Sequence, residues 1–96
     1  MHERILYKMR DKVRSRQYIM TLHAEDEMED DGLSIFDVES CILTGEIIER
    51  QKDSQTGEWK YLVRGSALSG SLMVSVGKMS STDKLVLITV YREQEL

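Results

Sequence analysis

An α+β fold is predicted for this chain, with about three N-terminal helices packed on one face of a four-stranded antiparallel sheet. Three observations predict it. Apolar residues up to Leu43 recur at helical spacing. After Gly45 the pattern changes to period two, with runs of β-branched residues. The loops between those later runs are short, which makes consecutive strands antiparallel neighbours. The 96 residues contain no proline, repeat or low-complexity linker. Residues 1–96 are therefore read as one domain, large enough for a modest core.

The first helix is expected over residues 3–16. Ile5, Met9 and Val13 recur every four residues, Leu6 sits beside them, and basic residues occupy the remainder. Tyr18 to Met20 reads as a short apolar link. Thr21 is placed to cap a second helix that runs to about Asp31 and stops at Gly32. Ser34 opens a third, with Asp37 three residues on as a capping-box variant and Leu33 positioned to staple onto Val38. Phe36, Val38, Cys41, Ile42 and Leu43 supply its core face, and Gly45 stops it. The four strands are expected at about 46–51, 58–64, 71–79 and 85–91, with turns at 53–57, at 65–70 and at 80–83. Alternation assigns one apolar sheet face to Trp59, Tyr61, Val63, Leu72, Val74, Val76, Val86, Ile88 and Val90. That face needs a cover, and the helices are the cover available.

Composition excludes several classes. No apolar run approaches a membrane span or a signal-peptide core, so no membrane role is expected. The single cysteine, Cys41, excludes an internal disulfide and Cys-based zinc sites; it points to a reducing compartment, most simply the cytoplasm. Residues 1–20 carry net charge +4, residues 21–49 carry −10 with no Lys or Arg, and residues 50–96 carry +2. The total of −4 argues against a generic nucleic-acid binder without a basic patch. The acidic run Glu25 to Asp31 fails as a calcium loop: aligning Gly32 to the loop glycine places Val38 where the twelfth ligand should be Glu. It is read as a solvated helix face. No metal ligand set and no cofactor motif is present. Cys41 is read as core.

The sheet face opposite the helices carries the candidate chemistry. Alternation assigns it Lys60, Leu62, Arg64, Met73, Ser75, Leu87, Thr89 and Tyr91, with Lys52, Lys78 and Arg92 near strand ends. Cations hold phosphates and a tyrosine stacks a base, so such a face can bind single-stranded RNA. Solvent-facing strand positions are also commonly polar, and Lys there blunts sheet edges. His23, at the start of the second helix, titrates near neutrality and is a candidate acid or base. A capping or surface histidine is the commoner use of that position.

His23-Ala24, Met28, Gly32-Leu33-Ser34, Asp37-Val38 and Gly45-Glu46-Ile47-Ile48-Glu49, with the ending Leu87-Ile88-Thr89-Val90-Tyr91, resemble domain-of-unknown-function family 4258, a family of small prokaryotic domains. The resemblance covers roughly residues 10–92. That family is similar to small toxins of the BrnT, MqsR and RelE/ParE kind, which share helices packed on an antiparallel sheet. What the resemblance implies is the toxin of a type II toxin–antitoxin pair, a metal-independent mRNA endoribonuclease. Its partners would be RNA and an antitoxin protein, often one with a zinc finger and a DNA-binding part. The alternative is a catalytically inactive toxin-fold module that binds RNA or a protein.

Residue by residue, the resemblance to the MqsR-like toxins places Lys52 near a lysine that those toxins use. Lys60 after Trp59 stands at a functional glutamine, followed by Arg64. Arg92 after Tyr91 stands at a functional lysine, and Met73 stands at the catalytic tyrosine. The implied catalytic set is Lys60, Arg64, Tyr91, Arg92 and Lys52, with Lys60, Arg64, Lys78 and Tyr91 on the RNA. Cleavage of this kind lets the 2′-hydroxyl attack phosphorus, and needs a base, an acid at the leaving oxygen and cations on the phosphate. A free sheet edge further admits strand addition by an antitoxin, or a homodimer.

Overall fold

The computed structural model describes residues 2–93. Three helices, α1 (Glu3–Arg14), α2 (Leu22–Asp30) and α3 (Ile35–Thr44), accompany five strands: β1 (Tyr18–Met20), β2 (Glu46–Lys52), β3 (Trp59–Ser66), β4 (Leu72–Met79) and β5 (Leu85–Arg92). The strand order is β1-β5-β4-β3-β2. The last four strands form the expected antiparallel meander.

The sheet is five-stranded and mixed, which corrects the four-stranded antiparallel expectation. Tyr18 to Met20 is not a link: it pairs in parallel with Leu85 to Leu87 at the sheet edge. Three residues are too few to show a period of two, and their partner lies far away in sequence. Beyond β1, α2 continues along the β5 edge. The Thr21 hydroxyl donates to the Ile88 carbonyl at 3.2 Å, and the Arg92 backbone N–H donates to Asp31 Oδ2 at 2.8 Å. These bonds satisfy strand-edge groups that would otherwise invite another strand.

Local signals set the helices as expected. Thr21 caps α2 by accepting from the Ala24 N–H. Ser34 and Asp37 form a reciprocal capping box at α3, and the second Asp37 oxygen accepts from the Leu68 N–H at 2.9 Å. Those backbone donors hold the Asp37 carboxyl below its ordinary range. Gly32, at φ +66°, makes the left-handed exit from α2.

The core lies between the helices and one sheet face. Leu6, Met9 and Val13 of α1 and Val38, Cys41 and Ile42 of α3 are buried against Tyr61, Val63, Met73, Leu85, Leu87 and Val90. Each fully buried aliphatic side chain contributes roughly 1.5–3 kcal/mol. Cys41 is fully buried, and burial pushes its thiol pKa up, which suits a core residue and not a nucleophile.

The apolar face differs from the expected one on two strands. On β4, Met73, Ser75 and Gly77 face the helices, because they pair with Gly65, Val63 and Tyr61. Leu72, Val74 and Val76 point the other way. Val74 and Val76 are nevertheless buried, so β4 is apolar on both faces and alternation cannot choose its phase. On β5 a bulge at Ile88 shifts the register, placing Leu85, Leu87 and Val90 inward and Val86, Thr89 and Tyr91 outward. Gly65, expected in a turn, is a β3 residue under α3.

Tyr18 ties β1 to α3: its hydroxyl donates to Glu39 Oε2 at 2.5 Å. Burial, and then that carboxylate, push its pKa up to about 12 from 10.0. The neutral phenol is the form the fold favours. Its contribution is complete below pH 10.0 and is lost as pH rises through about 12. Denaturant midpoints measured across that window should fall more steeply for the native chain than for Tyr18→Phe. Parallel curves would mean that this bond contributes nothing.

Candidate nucleic-acid interface

Register builds the uncovered face row by row. Glu46 of β2, Arg64 of β3, Val74 of β4 and Tyr91 of β5 form one row. Glu49, Leu62, Val76 and Thr89 form the next. Gln51 pairs with Lys60, and Lys78 with Val86, in the third. All four of the expected RNA-binding residues, Lys60, Arg64, Lys78 and Tyr91, thus share one face. Arg64 and Tyr91 are two strands apart, roughly 10 Å between backbones.

The other candidates are elsewhere. Arg92 pairs with Met73 and turns to the helix side. Its guanidinium donates to Ser71 Oγ at 2.6 Å and to the Asp31 carbonyl at 3.3 Å, so it braces the C-terminal end of α2. Lys52 pairs with Trp59 and also lies off that face, with its ammonium 5.6 Å from the indole centre. Arg50 stacks on the same indole at 4.1 Å, and both cations brace the β2–β3 hairpin. Met73 is fully buried in the core, not on the uncovered face. His23 is exposed on the first turn of α2, with Nε2 lying 3.1 Å from Glu27 Oε1. The expected catalytic set is therefore divided between the two sides of the sheet.

The face also holds acids beyond the sequence expectation. Lys78 pairs with Glu58 at 3.1 Å, and Arg64 with Glu93 at 2.6 Å. Among the described residues Lys60 has no ion-pair partner. Lys60, Lys78, Glu58 and Asp53 border a groove of about 270 Å³ with Val86 and Ile88 along its apolar side. The Gln55 and Thr56 N–H groups, helped by Lys60 and Lys78, hold the Asp53 carboxyl below its ordinary range. It is an anion at neutral pH and no proton donor. Glu58 and Glu93 stand two residues from Lys60 and Tyr91, so alternation alone had the signal for both.

A family model described as a domain of unknown function (DUF4258) matches residues 20–92, well over half of the chain. The chain belongs to the DUF4258 family. No curated protein and no solved structure matches it. The DUF4258 span takes in α2, α3, the last residue of β1 and the whole meander, so Lys60, Arg64, Lys78 and Tyr91 lie inside it and Glu93 falls one residue beyond it. Helix α1, which supplies Met9 to the core, precedes it. Among the described residues no helix is long and apolar enough to cross a membrane, and no cluster of side chains could hold a metal ion.

Proposed function

We propose that this chain is an RNA-binding module of the toxin-like class, holding single-stranded RNA on the uncovered face of its sheet. The observation that carries the reading is the convergence of Lys60, Lys78, Arg64 and Tyr91 across β3, β4 and β5. Lys60, without a counter-ion among the described residues, is the first phosphate contact, and Tyr91 is the stacking ring. Glu58 and Glu93 neutralise part of the cationic charge, so the binding is modest in affinity and sensitive to salt. Helices packed on one side of a largely antiparallel sheet support a relation to the RelE/BrnT toxin fold. An antitoxin protein remains the expected second partner, and a homodimer through a free edge is the alternative use of that edge. At β2 that edge carries Glu46, Glu49, Arg50 and Lys52 and a bulge at Ile48, features that blunt unselective pairing.

A second reading, the metal-independent endoribonuclease, rests on Tyr91, a proton-carrying group in the same cross-strand row as Arg64. The separation of Arg92, Lys52 and Met73 from that face weighs toward binding without cleavage. One experiment tests both readings. Purified protein is titrated into a labelled single-stranded RNA at several low salt concentrations, and the same samples are run on a denaturing gel. Lys60→Ala/Arg64→Ala should weaken binding roughly ten-fold or more and flatten the salt dependence by about 0.7 per lost phosphate contact. Unchanged affinity would place the RNA elsewhere, and no binding by the native chain would remove the reading. Cleavage that the double variant abolishes would establish the ribonuclease.

A further inference from the structure

Arg64 is the best-formed anion site on the uncovered face, and an internal carboxylate already fills it. One Glu93 oxygen accepts from Arg64 Nε at 3.0 Å and from Nη2 at 2.6 Å. Glu93 is held there by the strand: its N–H donates to the Leu72 carbonyl at 3.0 Å, one residue beyond the end of β5. The pair spans from β3 to the end of β5, on the side where Val74 is buried despite facing away from the helices. A groove of about 320 Å³ adjoins Arg64, with the exposed side chains of Ile48 and Leu72 in its wall. Among the described residues the one acid in that wall is Glu46, the register partner of Arg64.

A guanidinium makes the same two-donor fork to a carboxylate and to a phosphate. A phosphate that takes the Nε/Nη2 edge of Arg64 must therefore displace Glu93. The ion pair is partly exposed, so the exchange is within reach of an ordinary ligand. We propose that Glu93 is a built-in competitor for the Arg64 phosphate site, lowering the affinity of the uncovered face for RNA backbone until a correctly placed phosphate replaces it. The inference rests on the RNA-binding reading above and assigns one phosphate of the bound strand to Arg64.

The test measures RNA affinity at low salt for the native chain, Glu93→Gln, Arg64→Met, the Glu93→Gln/Arg64→Met double variant and Glu49→Gln. Glutamine keeps the shape of the side chain and removes its charge. Glu49→Gln removes the same charge from the same face without touching Arg64. Glu93→Gln should bind roughly two- to five-fold tighter, the range set by competition with an exposed ion pair. Glu49→Gln should gain less, and the gain from Glu93→Gln should vanish in the Arg64→Met background. Equal gains in the two glutamine variants, or a gain that survives without Arg64, would overturn the proposal. Native protein that binds RNA while Glu93→Gln binds no tighter would overturn it and leave the RNA reading standing. Native protein that binds no RNA would remove both.

Discussion

Gly65→Ala is expected to lower the free energy of unfolding by about 3 kcal/mol, a large part of the roughly 5–15 kcal/mol available to a small domain. A Cβ at Gly65 would collide with the Cys41 carbonyl oxygen and lie 2.8 Å from its carbon and 3.0 Å from its Cα. All three atoms are backbone, so no rotamer change relieves the clash, and α3 must lift from β3. Gly65 does not have a positive φ, so the loss is steric and not conformational. Gly57→Ala provides the contrast. At Gly57 a Cβ meets nothing within 4 Å, and the φ of +74° alone costs about 1–2 kcal/mol. Urea denaturation of both variants checks the order. A loss below about 1 kcal/mol for Gly65→Ala would mean that α3 docks less closely than described.

Arg10→Ala is expected to cost about 2 kcal/mol. The last carbonyls of a helix lack partners within the helix. Arg10, from α1, donates Nε to the Ile42 carbonyl at 3.0 Å and Nη2 to the Gly45 carbonyl at 2.7 Å. One side chain thus closes the end of α3 and joins it to α1. Cationic charge there also suits the helix dipole. Arg10→Lys should recover less than half of the loss, because an ammonium lacks the planar fork that serves two carbonyls together. Thermal unfolding of the three proteins tests this. Full recovery by lysine would show that charge alone matters.

Sequence patterns made the helices legible because their signals are local. Thr21, the Ser34–Asp37 box and Gly32 each act within a few residues of themselves. The four strands of the meander were legible for the same reason, through their turns. Strand β1 was not, since its partner is β5 and the pairing is parallel. The basic residues of α1 read only as the remainder outside its apolar stripe, yet Arg10 caps α3, and Lys8 and Lys12 pair with Asp83 at 3.2 and 2.9 Å. Nothing near those residues in the sequence announces the partner.

The candidate site divides along the same line. By itself the sequence determined that Lys60, Leu62 and Arg64 share a face, because a strand places alternate residues together. It determined equally that Cys41 belongs to the core. Alternation also placed Tyr91 there, but tertiary structure alone decided that Lys78 joins that face, that Met73 leaves it and that Arg92 turns to the helix side. The physical reason is that β4 is apolar on both sides and β5 carries a bulge at Ile88, so phase on those strands is set by pairing and not by local pattern. Register likewise decided that Glu93 reaches Arg64, since an ion pair between residues 29 apart exists only once the strands that carry them are aligned.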